Sequence, residues 1–193
     1  MTRVVLLNGP PSSGKDTAAQ LLRNALKHTH HRQFKRVLYA AVCYHYHVLD
    51  EDWKRLYRSK DQPSEELGGL TPRQALIHVA ENLIKPNYGS DYVARRALKD
   101  IDPSKVSVFS DCGFSEEVVA SCETVGCDNV LLIRLWRDDT SFEEDVRDYL
   151  YPDYCQTIDV ENNGSADELC MTLLSVIIPW LHPEKPTSPR SHT

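Results

Sequence analysis

The feature that most constrains this chain lies at its N-terminus. Residues 3–8 (RVVLLN) form a short, almost wholly apolar run, which is typical of a strand buried on both faces of a parallel sheet. A turn rich in Gly, Pro and Ser follows at residues 9–14, and apolar residues then repeat at helical spacing from Ala18 to Leu26. A strand, a glycine-rich turn and a helix in that order predict the start of an α/β domain.

The turn itself has the residues of a phosphate-binding loop. Residues 9–15 (GPPSSGK) fit the pattern GxxxxGK, although Asp16 then stands where Ser or Thr is usual and Thr17 comes next. Glycines let successive backbone N–H groups point into one concavity, and the helix that begins near Lys15 adds its positive end. We therefore predict that this loop binds ATP and that Asp16 or Thr17 helps to hold Mg²⁺. The ATP-binding residues predicted here are Gly9, Ser12, Ser13, Gly14, Lys15, Asp16 and Thr17.

Further strands and helices alternate along the chain. Residues 106–110 and 130–136 read as buried strands, and residues 157–160 as a short last strand. This alternation predicts a single α/β domain over residues 1–182, a three-layer α/β/α sandwich around a mainly parallel sheet. In such a domain the ligand lies beyond the carboxyl ends of the strands, which here carry Gly9, Asp111 and Arg137.

One helix has an unusually clear start. Thr71 as N-cap, Pro72 at the first helical position and Gln74 at the third form a capping box. We predict that this helix runs to about Ile84 and ends before Pro86.

Three segments are assigned from their composition. Residues 50–100 form a helical insert for the acceptor, with the helix-rich part beginning near residue 36. Residues 137–153 are charged and interspersed with aromatic residues, which predicts a mobile flap over about 137–154. The Pro/Ser-rich tail, residues 183–193, is expected to be disordered.

Charge and composition exclude several classes of protein. The net charge of −6 and the pI near 5.7 give no global basic field for nucleic acid or acidic membranes. With no signal peptide or membrane span, a cytoplasmic protein without a membrane partner is expected. The six cysteines include no CxxC pair, which favours reduced thiols. The pairs His28/His30 and His45/His47 are interpreted as solvated histidines on helix faces rather than a structural metal site.

The remaining motifs separate the classes of phosphate-loop protein. A GTPase switch would carry an NKxD-type sequence, which the chain lacks, and motor-type ATPases usually end a strand in two acidic residues, whereas here only Asp111 follows the strand. A small-molecule kinase needs arginines that close over phosphates. The chain offers Arg73, Arg95, Arg96, Arg134, Arg137 and Arg147 in suitable regions.

An ordered set of segments resembles phage-type deoxynucleoside monophosphate kinases. These are GKDT (14–17), LTPRQAL (70–76), the strand and Asp at 106–111, LLIRLWR (131–137) and DVENNGSADEL (159–169), and the resemblance covers about residues 3–175. It implies transfer of the γ-phosphoryl group of ATP, with Mg²⁺, to a deoxynucleotide by a monomer or homodimer.

The resemblance also implies roles for single residues. Lys15 would bind the ATP phosphates, Asp111 would lie by Mg²⁺ and the attacking oxygen, and Arg137 would lie near the transferred phosphoryl group. The loop 162–165, including Asn163, would pack against adenine. The acceptor would be approached by Arg73, Gln74, Arg95 and Arg96.

The chain departs from those kinases at one position. Their strand typically ends in Asp-x-Arg, whereas here Asp111 is followed by Cys112 and Gly113. This is compatible with a hydroxyl acceptor, because phage kinases that phosphorylate 5-hydroxymethyluracil in DNA have a similar layout. Asp111 would then take or orient the hydroxyl proton, and a basic track for the DNA would comprise Arg95, Arg96, Lys99 and Lys105. A nucleotide-binding protein without transfer activity is a further alternative.

Overall fold

The computed structural model describes residues 2–143 and 145–183, and within them five parallel strands form one sheet in the order β2-β3-β1-β4-β5. The predicted tail lies, from residue 184 onward, outside the described residues. The strands are β1 Arg3–Asn8, β2 Thr29–Arg32, β3 Val106–Phe109, β4 Val130–Trp136 and β5 Gln156–Glu161. The helices are α1 Lys15–Ala25, α2 Lys35–Tyr46, α3 Asp50–Tyr57, α4 Pro72–His78, α5 Lys85–Tyr88, α6 Tyr92–Leu98, α7 Ser115–Val125 and α8 Ala166–Leu181.

The central strand shows why the fold has three layers. Val5 and Leu7 of β1 pack on one face of the sheet with residues of α1 and α8, whereas Val4 and Leu6 pack on the other face with residues of α6 and α7. All four side chains are fully buried, and each such burial stabilises the fold by about 1.5–3 kcal/mol. The predicted α/β/α sandwich is confirmed, and its sheet is parallel throughout the described residues.

A third apolar cluster lies away from the sheet. It joins α2, α3 and α4 around Val42, Trp53, Leu67, Ala75 and Val79, all of which are buried. The helical part of the chain between β2 and β3 therefore has a core of its own, which can hold a binding wall rigidly beside the sheet.

The helix after Thr71 begins as predicted but does not end as predicted. The Thr71 hydroxyl accepts a hydrogen bond from the Gln74 amide at 3.1 Å, and the Gln74 side chain accepts one from the Thr71 amide at 2.9 Å. The helix then continues through a π-helical segment, Val79–Ile84, into α5, so the predicted end before Pro86 was wrong. Proline lacks an N–H group and its ring crowds the preceding turn, and the wider π-helical turn accommodates both effects.

The edge strand β2 was missed by the sequence patterns. Its sequence, THHR, is short and polar, and it places His30 in a strand with Nε2 2.8 Å from Nζ of Lys105. His28 precedes it with a φ of 65°, so the helix-face interpretation of His28 and His30 was wrong. The described residues contain no group of three Cys, His, Asp or Glu side chains placed to hold a metal ion.

Two further properties follow from the described residues. All six cysteines are free thiols. None of the helices in residues 2–143 and 145–183 combines the length and the apolar composition that crossing a membrane requires.

Candidate active site at the carboxyl edge of the sheet

The predicted phosphate-binding loop leaves β1 and enters α1 with a backbone that only certain residues can adopt. Gly14, the N-cap of α1, has a φ of 95°, and a Cβ atom there would lie 2.3 Å from Nδ2 of Asn162. That amide donates a hydrogen bond to the Ser13 carbonyl at 2.8 Å. Gly14 is therefore required both for the left-handed turn and for the contact with the loop after β5. No side chain caps the start of α1, so its first N–H groups face the concavity of the loop.

Lys15 turns back over this loop. Its Nζ donates hydrogen bonds to the carbonyls of Gly9 and Pro10, both at 2.6 Å, and lies 3.4 Å from the Ser13 hydroxyl. Burial, together with the nearby charge of Arg147, lowers the pKa of Lys15 to about 8. Phosphate oxygens in the loop would offer this ammonium better partners than two carbonyl groups, because charge-assisted bonds to anions are the stronger kind.

Asp16 is held in the ionised form by a polar cluster at the end of β3. Its Oδ1 accepts hydrogen bonds from Ser110 at 2.5 Å and from Gln33 at 3.0 Å, and lies 3.6 Å from Nε2 of His31. These contacts, with His31 the largest, hold the pKa of Asp16 well below its usual value. The side chain remains 67% exposed, so an oxygen is accessible to Mg²⁺, and exposed Thr17 lies next to it on α1.

Asp111 has a structural task at the end of β3. Its Oδ1 accepts a hydrogen bond from the Phe34 amide at 2.8 Å and its Oδ2 accepts one from the Lys35 amide at 3.0 Å. It thus caps the start of α2, and its predicted role beside Mg²⁺ stays a prediction. Burial raises the pKa of Asp111 against the effect of these two amides, although the residue keeps some contact with solvent.

A cavity of about 440 Å³ opens beside the phosphate-binding loop. Pro11 of the loop lines it, with Asp111 and Phe34 at the sheet end. Apolar side chains make up much of its wall. Its charged lining consists of five cations, Lys35, Lys60, Arg73, Lys85 and Arg147, and five carboxylic side chains, Glu81, Asp111, Glu116, Glu117 and Asp145. Three of these cations are paired with carboxylates in this structure, Arg73 with Asp61 at 2.9 Å, Lys85 with Glu81 at 2.6 Å and Arg147 with Asp145. An apolar wall with cations suits a flat apolar ring joined to a phosphate.

Two arginines predicted to bind the acceptor lie elsewhere. Arg95 pairs with Asp91 at 2.9 Å and Arg96 pairs with Asp100 at 2.7 Å, both at the surface. Arg96 lines a second, larger cavity of about 910 Å³ beside His31 and Tyr44. The structure therefore corrects this prediction: α6 presents its apolar face, including Ala94, to the cavity of about 440 Å³ and its arginines away from that cavity.

Of three other predicted residues, two use their side chains in hydrogen bonds to protein groups, and the third, Arg137, does not do so in the part of the chain that the structure describes. Gln74 uses its side-chain oxygen in the capping box. Asn163 accepts a hydrogen bond from the Asp138 amide at 2.8 Å, which joins the loop after β5 to the turn after β4. Arg137 is exposed, and within the described residues its side chain makes no hydrogen bond or ion pair and lines neither cavity.

Arg147 lies beside Gly113, the position at which the kinases that the sequence resembles typically carry an arginine. Its side chain packs so closely over Gly113 that a Cβ atom there would lie 2.3 Å from its Cδ. The sequence patterns gave Arg147 no specific role because it lies in a segment without helical or strand periodicity. Gly113 was a signal that a bulky neighbour approaches, although it could not identify that neighbour.

The segment that carries Arg147 is held to the sheet by the residues that follow Arg147. Asn8, fully buried at the end of β1, donates to the carbonyls of Cys112 and Asp148 and accepts from the Leu150 amide, at 3.1 to 3.2 Å. Tyr149 stacks on Trp136 with ring centroids 3.8 Å apart. The chain around Asp145 and Arg147 lies before this anchor and lines the cavity.

Comparison with known proteins gives little beyond the fold. No family model matches the chain, and no curated protein matches it significantly. Among 22 matching chains of solved structures is an unliganded sugar kinase from Janibacter sp. HTCC2649. It is 12% identical, the match covers 92% of this chain and 95% of that one, and the TM-score is 0.48. A likeness of this size says nothing about what the present chain binds.

Proposed function

We propose that this protein is an ATP-dependent phosphotransferase that moves the γ-phosphoryl group to a deoxynucleoside monophosphate. The observation that carries the proposal is the acceptor cavity itself. It adjoins the predicted phosphate-binding loop at Pro11, has apolar side chains such as Leu38 and Leu76 in its wall, and brings cations such as Lys35 and Arg147 to it beside an equal number of carboxylic side chains. A volume of about 440 Å³ lies in the range of small-ligand sites.

The chemistry follows from the placement of charge. In a direct in-line transfer, the N–H groups of the loop and Lys15 would stabilise the negative charge on the transferred group. The Asp16 carboxylate and Thr17 hydroxyl would hold Mg²⁺, which would supply positive charge to neutralise the ATP phosphates. A monophosphate acceptor is already ionised at neutral pH, so no general base is needed, and the task of Asp111 as a cap of α2 fits this acceptor.

The alternative acceptor, a hydroxymethyl base within DNA, has less support. Its basic track would use Arg95, Arg96, Lys99 and Lys105, and Arg95, Arg96 and Lys105 each pair with an aspartate close by in sequence. Such pairs offer a phosphodiester backbone little free positive charge. The free nucleotide is therefore the acceptor that we propose.

The proposal is tested by measuring ADP release. Wild-type protein is incubated with ATP and Mg²⁺ alone, then with each deoxynucleoside monophosphate in turn. Acceptor-dependent ADP release is the expected result. ATP binding without any acceptor-dependent release would contradict the proposal and favour a binding protein without transfer activity.

A further inference from the structure

Arg147 occupies a space that exists because residue 113 is glycine. A Cβ atom at Gly113 would lie 2.3 Å from Cδ, 3.0 Å from Cγ and 3.4 Å from Cβ of Arg147. The first distance is shorter than any real contact between such carbon atoms, and it involves the middle of the side chain rather than its free end. No larger residue at 113 would leave Arg147 where it is.

The guanidinium group lies between the two halves of the site. Arg147 lines the acceptor cavity together with Pro11 of the phosphate-binding loop and with Asp111. Its charge lowers the pKa of Lys15 on the loop side, while Asp145, Asp111 and Glu117 raise its own pKa on the cavity side. The arginine is therefore close to where a donor phosphate and an acceptor phosphate would meet.

A carboxylate of the same segment satisfies this guanidinium. Arg147 Nε donates to Asp145 Oδ1 at 2.8 Å, and its Nη2 contacts the other oxygen of the same carboxylate. Both side chains are partly buried, with 27% and 15% exposure. A planar fork that holds a carboxylate in two places is equally suited to two oxygens of a phosphate.

We propose that Arg147 is the residue that binds the phosphate of the acceptor, that Asp145 occupies it until the acceptor arrives, and that Gly113 provides the space it needs. This inference rests on the function proposed above and deepens it, because it identifies the acceptor group as a phosphate rather than a hydroxyl. Arg147 only binds the acceptor phosphate and forms no covalent bond, so the transfer of the γ-phosphoryl group from ATP to the acceptor proceeds as proposed above.

Binding of the four deoxynucleoside monophosphates is measured by calorimetry without ATP, so that the readout does not depend on turnover. Arg147→Ala should weaken binding of the preferred nucleotide by about 10- to 100-fold, the range for losing hydrogen bonds to a charged group. Arg147→Lys should recover only part of the affinity, because a lysine cannot form the fork. ATP affinity should change far less. Arg95→Ala, which removes a surface cation outside the cavity, serves as the matched control and should bind like wild type.

The variant Gly113→Ala tests whether Gly113 affects nucleotide binding through Arg147 or only through the stability of the fold. If it acts by displacing Arg147, it should weaken binding in the wild-type background and add little in the Arg147→Ala background, since the two changes share one interaction. Additive losses would overturn the role given to Gly113. If wild type binds a nucleotide and Arg147→Ala binds it equally well, the inference about Arg147 fails while the proposed function stands. If wild type binds none of the four, both fail.

Discussion

At the scale of single residues, Lys15 shows how the site holds a positive charge that a ligand could use. Its ammonium is satisfied by two carbonyl groups of its own loop, which are weaker partners than phosphate oxygens. Lys15→Ala should therefore reduce kcat by about 100-fold or more, as removal of a single electrostatic stabiliser does. The unfolding free energy should fall by only about 2 kcal/mol, about 1 kcal/mol for each of the two hydrogen bonds lost.

The control for this change is Lys27→Ala, which removes an exposed lysine after α1. Turnover and urea unfolding are measured for both variants. Near-normal turnover of Lys15→Ala would contradict the role given to this residue.

A buried carboxyl group beside the cavity predicts a pH dependence of stability. Burial raises the pKa of Glu117 from 4.5 to about 8, with the charge of Asp111 acting in the same direction. Between these values the unfolded chain loses a proton that the folded chain keeps, so stability is highest below about pH 4.5 for this group and falls as the pH rises. The slope for one such group is at most about 1.4 kcal/mol per pH unit.

Glu117→Gln should remove this pH-dependent component, because a glutamine side chain does not ionise. The fold should be kept, since the glutamine oxygen can still accept hydrogen bonds from the amides of Gly113 and Phe114. Urea unfolding at pH 5 and pH 8 gives the change for each variant, with exposed Glu123→Gln on the same helix as the control. An unchanged pH dependence in Glu117→Gln would show that the glutamate is ionised in the folded protein throughout this range.

The site residues differ in how far sequence could identify them. Gly9, Gly14 and Lys15 were identifiable because a phosphate-binding loop fixes their spacing locally. Arg147 was not, because its position depends on a contact with Gly113, 34 residues earlier, which no periodicity encodes. Arg95 and Arg96 were misplaced because the face of α6 that meets the cavity depends on tertiary packing.

At the scale of elements, the segment around Asp145 and Arg147 is expected to close on ligand while its anchor stays fixed. Hydrogen exchange of peptides that contain Asp145 and Arg147 should slow when ATP and acceptor are added together. The anchored residues around Tyr149 should change little, because Asn8 and Trp136 already hold them. Equal exchange of the Arg147 peptides in free and bound protein would count against a moving flap.

Elements were predictable where their signals were local. The strand β1 and the capping box of α4 each depend on residues adjacent in sequence. By contrast, β2 is an edge strand whose polar residues give no apolar alternation, and its pairing with β3 is a long-range contact. The passage through Pro86 required a π-helical segment, which ordinary helix-ending rules do not include.

At the scale of the whole molecule, the order of the strands explains why the site lies where it does. With β1 between β3 and β4 and all strands parallel, the phosphate-binding loop, Asp111 and the start of the flap leave the same edge of the sheet. The helical part between β2 and β3 adds the apolar wall. This architecture followed from the alternation of strands and helices, whereas the side chains that fill the cavity did not.

We propose that the site at this edge of the sheet transfers a phosphoryl group from ATP to a free nucleotide. The most direct test is to find which acceptor receives a labelled γ-phosphate. The protein is incubated with γ-labelled ATP and either deoxynucleoside monophosphates or DNA containing hydroxymethyluracil, at several salt concentrations. We predict label in a deoxynucleoside diphosphate, little dependence on ionic strength, and loss of transfer in Arg147→Ala at subsaturating acceptor. Label only in the DNA, with affinity falling steeply at a log–log slope of about −0.9 per phosphate contacted, would contradict the account. So would the absence of label in every acceptor.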